Sequence, residues 1–291
     1  MDNLGVIAHN VSGTLFAVNS ERIKQASLMS ELAYELCDGA DGKDTDMLLA
    51  EAREIYRSYI KNDDNECKCA FAEKIVYRLS QKLGRRMLMS DVVGAAPGTE
   101  RFVYQHSRYT DAAYEIMSRR FSDPTLIYAD DTESVTDSVK SGRASYGIIP
   151  SADSSFGDIS SVLDQLEQSS QIMLLGVRER QSDGKTLELS LISNGINEGL
   201  YKDNDLLYLT MRFLPCEGLT LCDVLSCFEY FGLDTSFIHY SKKDGRTTVT
   251  ARGAYDGITA TVVYMSVFSP DFSLCGVKAY IDEDENKNMI T

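Results

Sequence analysis

The sequence lacks a long apolar segment, since no stretch of its 291 residues approaches the length of a bilayer-spanning helix. The first residues, Met1-Asp2-Asn3, also lack the basic and apolar regions of a secretory signal, so we expect none. Lysine and arginine do not cluster into a basic face, and the net charge of -15 disfavours nucleic acids and anionic membranes as partners. We therefore expect a cytoplasmic protein that binds neither.

Metal-binding and disulfide patterns are also missing. The three histidines are widely separated, and Cys67-Lys68-Cys69 has no second pair nearby that would complete a tetrahedral zinc site. The seven cysteines have no framework spacing, so we interpret them as free, partly buried thiols. We expect neither a metal nor a cofactor.

The hydrophobic pattern divides the chain into three blocks and a tail. Residues 1–98 have apolar residues at helical spacing and indicate a mainly helical domain of unknown role. Residues 99–200 alternate strands with helices, which is typical of a doubly wound α/β layer, and residues 205–285 follow the order βαββαβ. Residues 286–291 form the tail.

Local signals predict where several elements begin and end. Residues 4–8 and 14–18 form a hairpin-like pair, and residues 93–98 read as the linker that closes the first block. Thr110 is a plausible cap for the first helix of the second block, and Pro150 is predicted to end the third strand there.

The second block contains a motif that is specific to one family. Residues 142–157 read G-R-A-S-Y-G-I-I-P-S-A-D-S-S-F-G, and prephenate dehydratases carry G-x-A-x-Y-G-[VI]-[VI]-P-[IV]-E-N-S-x-x-G before a helix. Residues 109–113, Y-T-D-A-A, are similar to the family's Y-S-E-x-A stretch. From residue 102 to about residue 192 the chain resembles prephenate dehydratase, the enzyme of phenylalanine biosynthesis that converts prephenate to phenylpyruvate, carbon dioxide and water.

The resemblance implies a fold and a set of site residues. The fold is α/β, or α+β overall, with one lobe of the periplasmic-binding-protein-like type followed by an ACT-like regulatory domain. The catalytic residues that it implies are Thr186 and Ser154. The substrate-binding residues that it implies are Ser155, Gly157, Thr110 and Lys185. The residues implied to bind an effector, usually phenylalanine, are Gly218, Leu219 and His239.

Several positions depart from the family's pattern. The Glu-Asn of the signature turn is Ala-Asp at residues 152–153, which places a negative charge where a dicarboxylate would rest. The family's T-R-F motif is T-L-E at residues 186–188, so its carboxylate-binding arginine is absent, and Lys185 replaces it only in part. Residues 178–185 are too few to form the second lobe that the family inserts there.

These departures leave two functions open, and we favour the first. It is a degenerate relative of the enzyme, a pseudoenzyme, that forms a homodimer through the ACT-like block and binds an aromatic amino acid. The second is an active dehydratase for prephenate, whose missing lobe comes from residues 1–95 or from a partner chain. An N-terminal chorismate mutase would need spaced cations, but Arg53, Arg57, Arg78 and Lys82 have the i, i+4 spacing of solvated helix faces.

Overall fold

A computed structural model describes most of the chain. The described residues are 20–21, 23–25, 27–38, 45–59, 64–153, 159–180, 184–202 and 204–281. The predicted hairpin-like pair at residues 4–8 and 14–18 lies outside them, as does the tail. No helix in the described part of the chain is long and apolar enough to cross a membrane.

The fold is α/β, with helices on both faces of one large mixed sheet. The helices are α1 (residues 27–38, with residues 20–21 and 23–25 also helical), α2 (Thr45–Tyr59), α3 (Asn65–Leu83), α4 (Ser90–Val93), α5 (Arg108–Met117), α6 (Thr132–Lys140), α7 (Ile159–Ser169), α8 (Leu221–Tyr230) and α9 (Tyr255–Phe268). Short 3-10 helices occupy Ser118–Arg120 and Glu198–Tyr201. The strands are β1 (Arg101–Gln105), β2 (Thr125–Ala129), β3 (Tyr146–Asp153), β4 (Ile172–Arg180), β5 (Thr186–Ser193), β6 (Leu207–Phe213), β7 (Asp234–Tyr240), β8 (Thr247–Gly253) and β9 (Ser273–Tyr280).

The described strands form a nine-stranded sheet in the order β2-β1-β3-β5-β4-β9-β6-β8-β7. Strands β1, β2 and β3 are parallel, while β5 is antiparallel to both β3 and β4. Strand β4 pairs in parallel with β9, with Met173 opposite Gly276, and this pairing joins the α/β layer to the βαββαβ unit. One sheet therefore crosses the predicted boundary near residue 200, and the division into domains stays a prediction.

The helical block lies against the helices of the βαββαβ unit. Helix α3 contacts both α8 and α9, and α2 contacts α9. The ring of Phe268 on α9 lies 4.6 Å from that of Tyr56 on α2 and 6.2 Å from that of Phe71 on α3, measured between centroids. The guanidinium of Arg53 donates hydrogen bonds of 2.9 and 2.6 Å to the Ser266 carbonyl. These contacts make the N-terminal helices a second layer over α8 and α9.

The third strand does not end at Pro150. Strand β3 continues to Asp153, and Pro150 lies opposite Leu189 of β5. The register shifts between Pro150 and Ala152, so a bulge absorbs the residue that has no N–H to donate. The prediction was wrong because proline is tolerated in a strand at such an irregularity.

Two other local predictions are also corrected. The cap of α5 is Ser107 rather than Thr110, because the Ser107 hydroxyl accepts the Thr110 N–H at 3.2 Å. Residues 93–98 are not a free linker, since α4 ends at Val93 and the N–H of Ala96 donates to the Ile196 carbonyl at 2.8 Å. This backbone pairing fastens the end of the helical block to the α/β layer.

Candidate functional site

A cavity of about 250 Å³ opens on the sheet face opposite α8 and α9. Residues on one strand alternate between faces, so Leu207 and Leu209 of β6 point into the main core while Tyr208 and Thr210 face the cavity. The described residues that line it are Ser151, Ala152, Met173, Arg178, Glu188, Tyr208, Thr210, Ser236, Phe237, Thr248, Thr250, Lys278 and Tyr280. Pockets for drug-sized ligands hold about 300–1,000 Å³, so this volume suits a smaller metabolite.

Two segments that the sequence singles out meet at this cavity. Strand β3 lies within the motif at residues 142–157, and β5 begins with the T-L-E segment at residues 186–188. The two strands are paired with Ala152 opposite Glu188 and Asp153 opposite Leu187. Glu188 faces the cavity, whereas Leu187 packs against the main core on the other face. The cavity therefore receives a carboxylate from β5, and the leucine at the family's arginine position points away from it.

The Glu188 carboxylate is held by three donors in the described part of the chain. Lys278 Nζ donates to Oε1 at 2.5 Å, and the Tyr280 hydroxyl donates to Oε2 at 2.8 Å. The Ser151 hydroxyl also donates to Oε1 at 3.1 Å, and it accepts a hydrogen bond from Ser190 at 2.7 Å. The side chains of Lys278 and Glu188 are only 8% and 13% exposed. The pair is thus a buried, hydrogen-bonded ion pair.

Both members of this pair are charged at neutral pH. Burial works against the charge on Glu188, but attraction to Lys278 and the hydrogen bonds from Lys278, Tyr280 and Ser151 outweigh it, and the pKa of Glu188 is lowered. Burial likewise works against the charge on Lys278, but attraction to Glu188 outweighs it, and the pKa of Lys278 is raised. Burial raises the pKa of Tyr280, which stays a neutral donor.

Arg178 supplies the second cation of the lining. Its guanidinium lies over the Tyr280 ring, 4.1 Å from the centroid, and its Nε is 3.7 Å from Glu188 Oε2. The Arg178 side chain lines the cavity and is 55% exposed. Tyr208 packs edge-on against Tyr280, with ring centroids 4.8 Å apart. With Lys278 neutralised by Glu188, the described lining carries one net positive charge, next to aromatic rings.

A buried arginine fixes α7 beside the cavity. Arg212 on β6 donates to Asp164 and Glu167 of α7 at 2.5 and 3.0 Å, and to Asp244 of the β7–β8 turn at 3.1 Å. Arg246 of the same turn also pairs with Glu167. These bonds connect the α/β layer to the βαββαβ unit on the cavity side of the sheet.

The structure describes three of the predicted catalytic and substrate-binding residues, Thr110, Lys185 and Thr186, and none of these three lines the cavity. Thr186 begins β5 and is exposed, on the same face as Glu188 but outside the cavity lining, and Lys185 precedes it. Thr110 is buried, and its hydroxyl donates to the Gln105 carbonyl at 2.7 Å, so it stabilises the first turn of α5. Ser154, Ser155 and Gly157 lie outside the described residues. Their assigned roles stay predictions.

The predicted effector residues do not line the cavity. Gly218 has a φ of 88°, and its carbonyl accepts a 2.6 Å hydrogen bond from the buried Lys68 of α3. Leu219 is buried in the main core. His239 is exposed on the edge strand β7, with its ring stacked on Phe237 at 6.3 Å between centroids. An effector role for these three residues also stays a prediction.

Sequence reasoning missed most of the cavity's charged and aromatic residues. Lys278 and Tyr280 alternate with the core residues Val277 and Ala279 on β9. That alternation is typical of a strand with one solvated face. It does not reveal that Lys278 is buried in an ion pair with Glu188. Among the described residues, no group of three or more His, Cys, Asp or Glu is arranged to hold a metal ion.

Comparison with known proteins gives only distant similarity. No protein-family model and no curated protein sequence matches the chain. The structure of prephenate dehydratase from Streptococcus mutans is 15% identical with a TM-score of 0.49, over 63% of this chain and 100% of that one. Prephenate dehydratase from Arthrobacter aurescens in complex with L-Phe is 12% identical with a TM-score of 0.49, over 64% and 91%. GqqA, described as a novel type of quorum quenching acylase, is 14% identical with a TM-score of 0.44, over 65% and 99%. These values describe a distant similarity of fold.

Proposed function

We propose that this chain is a non-catalytic relative of prephenate dehydratase that binds a small aromatic molecule with one carboxylate, an aromatic amino acid above all, as a regulatory ligand. The observation that carries the proposal is the charge balance of the cavity. Arg178 is the exposed cation of the described lining, while the charge on the buried Lys278 is matched by Glu188. An arginine beside aromatic rings suits a ligand with one carboxylate and one ring.

The same balance disfavours prephenate as the ligand. Prephenate carries two carboxylates, and only one of them can pair with Arg178. The other would lie near Glu188, whose lowered pKa keeps it ionised, and like charges at contact distance repel strongly where solvent screens them poorly. An active dehydratase would also need Thr186 inside a closed pocket, and Thr186 is exposed at the start of β5.

The proposed site of action is the cytoplasm. The cysteines in the described part of the chain are not joined by disulfides. Disulfides form in oxidising compartments and are rare in the cytosol, so cysteines without disulfides favour a reducing compartment.

We expect Arg178→Gln to lower the affinity for the ligand at least tenfold, since a charge-assisted hydrogen bond contributes about 1.5–3 kcal/mol. The measurement is a thermal-shift panel with phenylalanine, tyrosine, tryptophan, chorismate and prephenate at millimolar concentration. A ligand at 100 times its Kd adds about 2.7 kcal/mol to the unfolding free energy, which raises the midpoint by several degrees.

Arg252→Gln is the matched control for this experiment. Arg252 lies on β8 of the same sheet, is 48% exposed and pairs with Asp234, outside the cavity lining. It should leave the ligand-induced shift unchanged. A shift with prephenate and release of phenylpyruvate would support the active dehydratase instead. No shift with any of the five compounds would contradict the proposed function.

We also propose that the homodimer forms through β7. Among the described strands β7 lies at an edge of the sheet, all seven of its residues are exposed, and Phe237, Ile238 and Tyr240 are apolar or aromatic. An edge of this kind offers unpaired backbone groups to an identical strand of a second copy.

Ile238→Lys is therefore expected to convert a dimer into a monomer, because a lysine on an edge strand opposes pairing between edges. Light scattering after size-exclusion chromatography measures the molar mass of the wild-type protein and of the variant. Tyr77→Lys, at an exposed position of α3, introduces the same charge away from β7 and should remain dimeric. A monomeric wild-type protein at micromolar concentration would contradict this assembly.

A further inference from the structure

We infer that Glu188 recognises the amino group of the ligand, so that the cavity selects an aromatic α-amino acid over the corresponding keto acid. This inference rests on the proposed function, since it concerns the same cavity. It adds a second point of recognition to the carboxylate that Arg178 would hold.

The geometry leaves Glu188 one acceptor position. An ionised carboxylate offers about four lone-pair positions, two on each oxygen. On Glu188, Oε1 accepts from Lys278 and Ser151, and Oε2 accepts from Tyr280. Arg178 Nε is 3.7 Å from Oε2, which is beyond hydrogen-bond distance. Among the described residues, therefore, Oε2 has room for one more donor.

The positions of Arg178 and Glu188 match the two charges of an α-amino acid. In such a ligand the ammonium and the carboxylate are attached to one carbon atom, so they need an anion and a cation side by side. Arg178 Nε and Glu188 Oε2 are adjacent in this way, 3.7 Å apart, with the guanidinium over the Tyr280 ring. The ligand's carboxylate would pair with the guanidinium, and its ammonium would donate to Oε2.

Three hydroxyl groups on the other side of the lining, those of Thr210, Thr250 and Ser236, have partners within the protein. Thr210 and Thr250 share a hydrogen bond of 3.2 Å between their side chains, and the Ser236 hydroxyl donates to the Thr250 carbonyl at 3.0 Å. That side of the cavity also holds Tyr208 and Phe237. It therefore suits the aromatic end of the ligand, which leaves Glu188 as the charged acceptor for the amino group.

Selectivity follows from what each competing ligand leaves unpaired. A keto acid has no donor for Oε2, so binding would remove water from that oxygen without replacing its hydrogen bond. An N-acetylated amino acid keeps the carboxylate but has a neutral, bulkier amide in place of the ammonium. Both compounds retain the aromatic ring and the group that Arg178 would bind, so they isolate the contribution of the ammonium.

The first test uses the wild-type protein and three ligands. Isothermal titration at fixed pH and salt compares L-phenylalanine, phenylpyruvate and N-acetyl-L-phenylalanine. We expect L-phenylalanine to bind and the other two to bind at least tenfold more weakly, which corresponds to about 1.4 kcal/mol. Equal affinities, or tighter binding of phenylpyruvate, would overturn the role of Glu188 and leave the proposed function intact. Absence of binding by all three would overturn both.

The second test uses Glu188→Gln. The amide keeps the size of the side chain and an acceptor for Lys278, but it removes the charge that attracts an ammonium. We expect the affinity for L-phenylalanine to fall at least tenfold and the preference over phenylpyruvate to disappear. Glu115→Gln, on the exposed surface of α5, is the matched control and should bind as the wild type does. A folded Glu188→Gln protein that keeps the full preference for L-phenylalanine over phenylpyruvate would refute the inference. If the variant does not fold, the comparison of the three ligands with the wild-type protein decides whether the inference holds.

Discussion

Replacing Glu188 with alanine is expected to lower the free energy of unfolding by about 3–5 kcal/mol, because it leaves a buried cation without its partner. Lys278 is 8% exposed, and its ammonium donates a 2.5 Å hydrogen bond to Glu188. The same change removes the acceptor of the Tyr280 and Ser151 hydroxyls. Glu188→Gln should lower the free energy of unfolding much less, since the amide oxygen still accepts a hydrogen bond from Lys278.

Chemical denaturation measures this loss of unfolding free energy. A double-mutant cycle separates the energy of the interaction between Glu188 and Lys278 from the energy lost when each side chain is removed. Glu188→Ala and Lys278→Met should each be strongly destabilising, while the double variant should be less destabilised than the sum of the two. Glu115→Ala, which removes an exposed partner of Arg119, should cost no more than about 1 kcal/mol. Additive losses from Glu188 and Lys278 would show that the two side chains do not interact in solution.

The ion pair also fixes the pH range in which it stabilises the fold. The pKa of Glu188 is lowered in the folded state, so its contribution is complete above the unfolded pKa and is lost as pH falls through the folded value. The pKa of Lys278 is raised, so its contribution is complete below the unfolded pKa and is lost as pH rises through the folded value. The difference in stability between wild type and Glu188→Ala should be greatest at neutral pH and shrink in acid.

Phe268→Ala is expected to destabilise the whole protein by about 3–5 kcal/mol, the usual cost of removing a buried aromatic side chain. Phe268 is 4% exposed, and its ring contacts Tyr56, Phe71 and Tyr264. Three helices, α2, α3 and α9, meet at this one side chain. The cavity left by alanine would weaken the packing of the N-terminal helices on the βαββαβ unit.

Thermal unfolding followed by circular dichroism tests this prediction. If the helical block and the sheet form one cooperative unit, Phe268→Ala should lower the midpoint temperature of a single unfolding transition. It should not split that transition in two. Tyr77→Ala is the control, because Tyr77 is exposed on α3, and surface substitutions usually change stability by about 0.5 kcal/mol or less. A separate early transition for α2 and α3 would show that the N-terminal helices are an independent domain.

Sequence patterns predicted the elements of the second and third blocks well, because local periodicity decides them. The order βαββαβ that was predicted for residues 205–285 is the order of β6, α8, β7, β8, α9 and β9. The errors are confined to the ends of elements. Pro150 is accommodated by a bulge, and Ser107 takes the capping position that Thr110 was expected to hold.

The candidate site was only partly predictable. The signature motif and the segment after Lys185 were expected to lie at one site, and the register of β3 and β5 does place Ala152 opposite Glu188. The partners of Glu188 could not be anticipated, since Lys278 and Tyr280 are about ninety residues further along the chain. Pairing over that distance depends on which strands become neighbours, and hydrophobic periodicity contains no information about strand order.

The sequence by itself determined the α/β class, the order of the strands and helices along the second and third blocks, and the departures from the dehydratase motifs, because these depend on residues that are close in the chain. Only the tertiary structure decided that β4 pairs with β9. That pairing makes one sheet of two predicted blocks and brings Arg178, Glu188 and Lys278 to one cavity. Burial and charge pairing act between side chains that fold together, so they fix the chemistry of the cavity only once the strands are assembled.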